Sequence, residues 1–278
     1  MVGVLLVNDD GYRAEGILQL RGALIRHGHG VVVCAPSQNM SAMGHSVTFR
    51  NEIAFRVIEE KDGPIVVVEG TPVDALRMGI GMIERHEIAC PFDKLGIVIS
   101  GINKGTNVGL NTCCSGTVAC AVEACLLGYR ALAVSIVDPS DDVPKAINTW
   151  PFAEAAEHFV ALVLRNFLQQ TDATVADAWN VNYPNNALAY QPDGTYAPKN
   201  PVFCQMSVMR LYTHFEMRSM LDPRTGMRTG LFVPVETVWM SSRAKEHEAV
   251  AGHENTTLND YTYCHVRGHV TIVKLSSR

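Results

Sequence analysis

The chain predicts an α/β protein: a parallel sheet with helices on its faces, followed by a β-rich C-terminal arm. Three observations carry this. The first 36 residues read strand, helix, strand, the pattern of a parallel unit with its crossover helix. The apolar runs at 2–7, 31–34, 95–99 and 131–136 are short, continuous and rich in β-branched residues, as strands buried on both faces are. Near Tyr183 the rhythm changes, and Pro184, Pro192, Pro198, Pro201 and Pro223 interrupt the remainder of the chain.

The elements come in order. The run at 2–7 stops at Asn8-Asp9-Asp10-Gly11, a strand ending in a turn. Residues 17–26 carry apolar side chains at helical spacing and end near Gly28 and Gly30. A second strand at 31–34 leads through Ala35-Pro36 into a polar loop over 36–51. Strands at 53–57 and 65–68 flank Lys61-Asp62-Gly63 as a hairpin. Thr71 is an N-cap with Pro72 at the first helical position, so a helix runs over 72–84. The strand at 95–99 ends at Ser100-Gly101-Ile102-Asn103, and Ser115-Gly116-Thr117 opens a helix to Leu127. Beyond the strand at 131–136, residues 152–168 read as a helix and 179–182 as a strand. Residues 202–212 and 231–239 read as strands of a long arm, and 270–275 as a last strand. Residues 1–183 therefore form an α/β core, and 184–278 an accessory segment whose last strand returns to it.

Composition narrows the function. With 278 residues, 47% hydrophobic and 18% charged, the chain can bury a large core. A formal net charge of −5 argues against a grip on polymeric nucleic acid. A small anionic substrate stays open, because a metal ion supplies positive charge locally. Eight cysteines, half of them within 113–125, read as reduced thiols of a cytosolic protein rather than a disulfide framework. The N-terminus lacks a basic segment and a signal-length apolar run, and no stretch reaches the ~20 apolar residues of a membrane helix. The expectation is a soluble, cytoplasmic protein with no membrane partner.

Ligands of parallel sheets gather at the carboxyl ends of the strands. Three polar clusters fall there: Asp9-Asp10, the loop around Asn39 to Ser46, and Asn103 to Asn107. Adjacent carboxylates repel, and a divalent cation relieves that repulsion; oxygen donors such as Asp, Asn and Ser suit Mg²⁺ or Mn²⁺. The alternative is that one Asp caps the next helix while the other is solvated. Ser115-Gly116-Thr117 at a helix start offers amide hydrogens and the helix dipole to a phosphate, or else is an ordinary serine cap.

Taken together, the order and spacing are specific. Asn8-Asp9-Asp10-Gly11, Ser41-Ala-Met-Gly-His45-Ser46-Val-Thr48, Gly70-Thr71-Pro72-Val73-Asp74, Ser100-Gly-Ile-Asn103-Lys-Gly105-Thr-Asn107-Val-Gly109 and Ser115-Gly116-Thr117-Val118 resemble the SurE family of 5′/3′-nucleotidases. The resemblance is dense to about residue 136. It returns at Asn180-Val181-Asn182-Tyr183-Pro184, at Asp260 and at 268–272. It implies a Rossmann-like three-layer core and an arm used in homodimer or homotetramer assembly. It implies metal-dependent hydrolysis of nucleoside 5′- and 3′-monophosphates, and in some members of short polyphosphate. One Mg²⁺ or Mn²⁺ per subunit would lie on Asp9, Asp10, Ser41 and Asn103, with phosphate on Asn107, Ser115, Gly116 and Thr117. In that scheme water attacks in line, and Asp9 or Asp10 accepts its proton. Leu110 and Asn111 stand where acids are common in the family, Cys114 where tyrosine is, Ser37 where an acid is and Glu15 where proline is. These departures bear on substrate preference.

Several residues carry a second reading. His45 faces the crevice as a proton donor or is a loop histidine, and Lys104 approaches the phosphate or is solvated; both stand beside the mapped ligands rather than among them. Cys113, Cys114, Cys120 and Cys125 form no C-x-x-C pair and read as packing rather than zinc ligands. His265 and His269, without a third ligand, read as structural. Trp150, Trp179 and Trp239 read as core or interface. A haloacid-dehalogenase-type phosphatase needs an aspartate nucleophile where Asn8 stands. A receiver module needs an acceptor aspartate where Ser100-Gly101 stands. A catalytically weak nucleotide sensor, or a phosphatase for a different small ester, is the alternative to a nucleotidase.

Overall fold

The computed structural model describes residues 1–137, 152–172, 174–183, 188–190, 196–198, 202–203, 210–221, 228–239 and 271–275. Its strands are β1 (Gly3–Val7), β2 (Gly30–Pro36), β3 (Phe55–Ile58), β4 (Ile65–Val68), β5 (Leu95–Lys104), β6 (Ala131–Ile136) and β7 (Ala178–Tyr183). They continue as β8 (Leu188–Tyr190), β9 (Tyr196–Pro198), β10 (Val202–Phe203), β11 (Arg210–Leu221), β12 (Arg228–Trp239) and β13 (Thr271–Lys274). The helices are α1 (Glu15–Arg26), α2 (Pro72–Glu84), α3 (Gly116–Leu126), α4 (Phe152–His158) and α5 (Arg165–Gln170).

Nine strands form one sheet in the order β10-β13-β7-β6-β5-β1-β2-β4-β3. The run from β7 through β4 is parallel, and antiparallel pairs occur at β3–β4 and β13–β7. β13 brings the C-terminal segment back to the core, beside Trp179 to Asn182.

The strands are apolar on both faces because both faces are covered. On one side Val4, Leu6, Val31, Val33, Ile97, Ile99, Leu132 and Val134 pack under α1 and the α4–α5 segment. On the other, Leu5, Val7, Val32, Val98, Ala131 and Ala133 pack under α2 and α3. The result is the three-layer arrangement that the continuous apolar runs predict. Phe159 and Phe167 are fully buried, and Phe167 meets Trp179 edge-to-face at 4.7 Å. Truncating a buried phenylalanine to alanine costs about 3–5 kcal/mol.

Thr71 caps α2 as the residue pattern predicts: its hydroxyl accepts from the Asp74 amide, and the Asp74 carboxylate accepts from the Thr71 amide. The helix expected over 152–168 is continuous but contains a π-helical turn at Phe159–Leu164 between α4 and α5. Such one-turn insertions have no residue-level signal beyond the helical period itself.

β5 is longer than the run at 95–99. Ser100 pairs with Ala133 and Asn103 with Ser135, so Gly101 and Ile102 oppose Val134 alone. This is a β-bulge, which bends a strand and re-aims the side chains beyond it. Gly101 has φ +131°, and the Gly101–Ile102 peptide is cis. A Cβ on Gly101 would lie 2.2 Å from the Val134 carbonyl oxygen, so only glycine fits. Side chains two apart on β6 share a face, so Ser100 and Asn103, three apart, also share one. A regular strand would have put them on opposite faces.

Beyond β7, β11 and β12 make an antiparallel ribbon of 12 residues a side, and β8 and β9 a short hairpin. Asp260, His265, His269, Cys204, Cys264 and Trp150 lie outside the described residues. No described helix is long and apolar enough to cross a membrane.

The Gly101 geometry gives a direct test. Gly101→Ala places a side chain in a backbone region close to glycine-only and against a carbonyl, a cost of about 1–3 kcal/mol or more. Its urea midpoint should fall well below wild type; an unchanged midpoint would show that the bulge relaxes freely.

Candidate metal and phosphate site

β1 delivers Asn8, Asp9 and Asp10 to the carboxyl edge of the sheet. Asn8 turns the chain with its own side chain: its amide nitrogen donates to the Gly11 carbonyl at 2.8 Å, and its oxygen accepts from the Gly11 amide at 3.2 Å. The turn leaves Asp9 pointing toward α3 and Asp10 toward the end of β5.

Asp9 is only 3% exposed. Its carboxylate accepts from the Thr117 hydroxyl at 2.6 Å, and the Thr117 and Gly116 amides also reach it. Burial raises its pKa above the ordinary value; those hydrogen bonds act the other way but do not cancel it. Gly116 is needed for this contact, because a Cβ there would fall 2.9 Å from the Asp9 Cβ. Asp10 keeps more solvent access. It accepts from the Lys104 amide at 3.1 Å. Burial first, and the charge of Asp9 after it, push its pKa up to about 6, against the Lys104 amide and charge.

Asn103 donates its side-chain nitrogen to the Gly105 carbonyl at 2.6 Å, which leaves its side-chain oxygen as an acceptor. Ser41 lies on the exposed loop after β2, where its amide and hydroxyl both donate to the Asn39 oxygen, at 2.7 and 2.6 Å. That loop reaches the site through the Met40 amide, which donates to the Asp9 carbonyl at 2.7 Å. Lys104 is exposed beside the pair.

The phosphate positions are arranged differently from the simplest expectation. Ser115 is the N-cap of α3, and its hydroxyl oxygen accepts from the Val118 amide at 3.1 Å. The Thr117 hydroxyl is committed to Asp9, and the first amides of α3 face the same carboxylate. A buried carboxylate requires donors, and the helix start supplies them. Asn107 is buried rather than presented outward. Its amide donates to Asn182 at 2.8 Å, its carbonyl accepts from Asn180 and Asn182, and its side-chain nitrogen donates to Ser135 at 2.8 Å.

Sequence reasoning missed the roles of Asn180, Asn182 and Ser135. By register Ser100, Asn103, Ser135, Asn180 and Asn182 lie on the α3 face of the sheet, a polar strip that continues to the site. Polar residues two apart inside an otherwise apolar strand were the available signal. His45 is half-exposed and tied to α3: its Nε2 lies 2.8 Å from a Glu123 carboxylate oxygen. Cys34 and Cys120 are buried, whereas Cys113 and Cys114 are exposed just before Ser115, so packing does not account for that pair. Trp179 is a core residue.

The fold and the placement of these groups define a doubly wound α/β protein with polar side chains gathered at the carboxyl ends of its strands. The sequence profile of survival protein SurE matches residues 4–203. A 5′-nucleotidase SurE of Desulfovibrio desulfuricans is 37% identical over 198 residues, 71% of this chain and 72% of the relative. One from Solidesulfovibrio magneticus is 35% identical over 67% of this chain and 66% of its own length. One from Caldanaerobacter subterraneus is 40% identical over 50% and 52%. The chain thus spans between about half and three quarters of these relatives. The crystal structure of the SurE protein from Aquifex aeolicus superposes with a TM-score of 0.65 at 28% identity, covering 98% of this chain and 92% of that one. The chain belongs to the SurE family.

The Asp10 environment makes a prediction for the metal-free protein. Its folded pKa, about 6, exceeds the ordinary carboxylate value near 4, so the folded state binds the proton more tightly. The stability this contributes is complete below about pH 4 and is lost as pH rises through 6. In EDTA, Asp10→Asn should therefore melt above wild type at pH 8, with the gap closing toward pH 4. Equal melting temperatures at pH 8 would refute the electrostatic account.

Proposed function

We propose that the chain is a metal-dependent 5′-nucleotidase that hydrolyses nucleoside monophosphates to nucleoside and phosphate. The observation that carries this reading is the Asp9–Asp10 pair, drawn together at the sheet edge with raised proton affinity. Two carboxylates in that state favour a divalent cation beside them. The donor set fits a hard cation. Asp9 and Asp10 supply carboxylate oxygens, Asn103 has its amide oxygen available, and Ser41 sits on the loop pinned to the Asp9 carbonyl. Among the described residues no cluster of three or more His, Cys, Asp or Glu offers a softer site. Mg²⁺ or Mn²⁺, one per subunit, is the group these residues would hold. When bound, it supplies Lewis-acid polarisation of the phosphoryl oxygen and an acidified water.

The chain's own residues do the rest. Thr117 and the first amides of α3 fix Asp9, so that half of the pair does not reorganise during the reaction. Asp10, with more solvent access, is the better placed of the two to exchange a proton. Lys104 puts a positive charge at the rim, which favours entry of a dianionic phosphate ester. The Ser115 hydroxyl hydrogen stays available for a phosphate oxygen at the start of α3, because its oxygen is the acceptor for Val118. Asn107 acts mainly by bracing the 103–108 loop against β6 and β7.

We extend the reading to 3′-monophosphates and short polyphosphate as further substrates, and to a cytoplasmic location. Buried Cys34 and Cys120 without disulfides suit a reducing compartment. The β11–β12 ribbon pairs with no third strand among the described residues. An isolated two-stranded ribbon is marginal in water, which supports completion by a second subunit in a homodimer or homotetramer.

Phosphate release from AMP, GMP, CMP and UMP, and from the 3′ isomers, with Mn²⁺, Mg²⁺ or EDTA tests the reading. Metal-dependent release from a 5′-monophosphate should fall at least ~100-fold in Asp10→Asn. Metal binding with no release from any nucleotide would instead favour the sensor or another phosphate ester.

A further inference from the structure

The site's components come from two directions. Asp9, Asp10 and Asn103 stand on the sheet, while Ser41 stands on the loop between β2 and β3, at an exposed position with Ala42 at φ +63°. The anchors of that loop decide where Ser41 sits. On one side the Ser37 amide donates to the Val68 carbonyl and the Met40 amide to the Asp9 carbonyl. On the far side, Thr48 donates through its amide and hydroxyl to Asp74, and the Thr71 hydroxyl donates to the Ser46 carbonyl. Between these anchors the Gly44 amide donates to the Cys114 carbonyl at 3.0 Å, and His45 reaches Glu123.

Glu123 is an unusual residue for its place. It lies in the last turn of α3 among apolar residues, with its side chain 6% exposed. Burying a carboxylate is costly unless it is fully paired. Here one oxygen accepts from Arg77 of α2, at 2.7 Å from Nε and 2.5 Å from a terminal nitrogen, and the other lies 2.8 Å from His45 Nε2. Burial alone would raise the Glu123 pKa; the bonds to His45 and Arg77 outweigh it and hold the group ionised, below the ordinary carboxylate value. An apolar side chain would join α2 to α3 without that penalty. The carboxylate adds a bond to the loop.

Resting on the metal reading of the site, we propose that Glu123 and His45 are positioning residues for Ser41. The α3 helix that caps Asp9 at its first turn holds the opposite wall of the site further along its length, through a charged tie to the loop. Neither side chain touches substrate or cation. Their contribution is to keep Ser41 within reach of Asp9 and Asn103 before the cation arrives, as outer partners do for many metal ligands.

Mn²⁺ binding to the full chain, titrated by electron paramagnetic resonance without nucleotide, tests this. His45→Ala removes only the half-exposed partner and leaves the Glu123–Arg77 pair, so the fold should keep its metal-free melting temperature. It should weaken Mn²⁺ binding about tenfold, the scale on which outer partners act. Ser41→Ala should do the same, and the double variant should bind little more weakly than either single one, because His45 acts through Ser41. His45→Gln, whose side-chain amide can donate to Glu123 from about the place of Nε2, should restore much of the affinity. Wild-type affinity in folded His45→Ala, or a double variant whose losses multiply, would overturn the proposal. No Mn²⁺ binding by wild type would overturn the metal reading of Asp9 and Asp10, and this inference with it.

Discussion

The contact on which the rest of the site depends joins Asp9 to the first turn of α3. A carboxylate that is almost wholly buried cannot stay charged without donors, and the start of a helix is a concentrated source of them. Meeting that need brings the end of β1 against Gly116 and Thr117. It therefore sets where α3 lies on the sheet. Ser115 has to precede the helix in extended backbone to cap it, and the turn ahead of it has to pass under the Ser41 loop. One electrostatic requirement thus coordinates a strand end, a helix start and two loops.

The same need explains why polarity collects on one face. Above the level of Ser100 the α3 side of β5, β6 and β7 changes from apolar to Ser and Asn. Ser135, Asn180 and Asn182 bond the Asn107 side chain and backbone, which fixes the direction in which the 103–108 loop leaves the sheet, while Ser100 Oγ and Asn180 Oδ1 stay buried without a hydrogen-bond partner among the described residues. The apolar α1 face has no such strip and carries the bulk of the packing.

Local features were legible in the sequence. The continuous β-branched runs marked the strands because burial on both faces leaves no polar alternation. Thr71-Pro72 marked the start of α2 because cap chemistry is decided within four residues. Asp9-Asp10 stood out because adjacent carboxylates at a strand end need an explanation. The features that stayed hidden depend on partners far away in the chain. Thr117 meets Asp9 across 108 positions and Asn107 meets Asn182 across 75, so neither role has a local pattern. Glu123 reads as one more residue of an apolar helix until the fold places Arg77 and His45 beside it. Ser115 and Thr117 looked like phosphate donors because the residue types permit it. Their observed partners, Val118 and Asp9, are a matter of geometry.

The bulge in β5 has a consequence for how this chain tolerates change. Strands usually accept substitution more readily than a change in length, and at Gly101 that order is reversed. Ser100 and Asn103 share a face only because Gly101 and Ile102 together take the place of one residue. Deleting either would restore an ideal ladder, and the sheet itself would lose little. Ser100 and Asn103 would then lie two apart in a regular strand and would still share the α3 face; pairing both Gly101 and Ile102 in a regular ladder is what would turn Asn103 toward the core under α1. The placement of Asn103 at this strand length thus depends on the glycine that permits the bulge rather than on the number of residues in the strand.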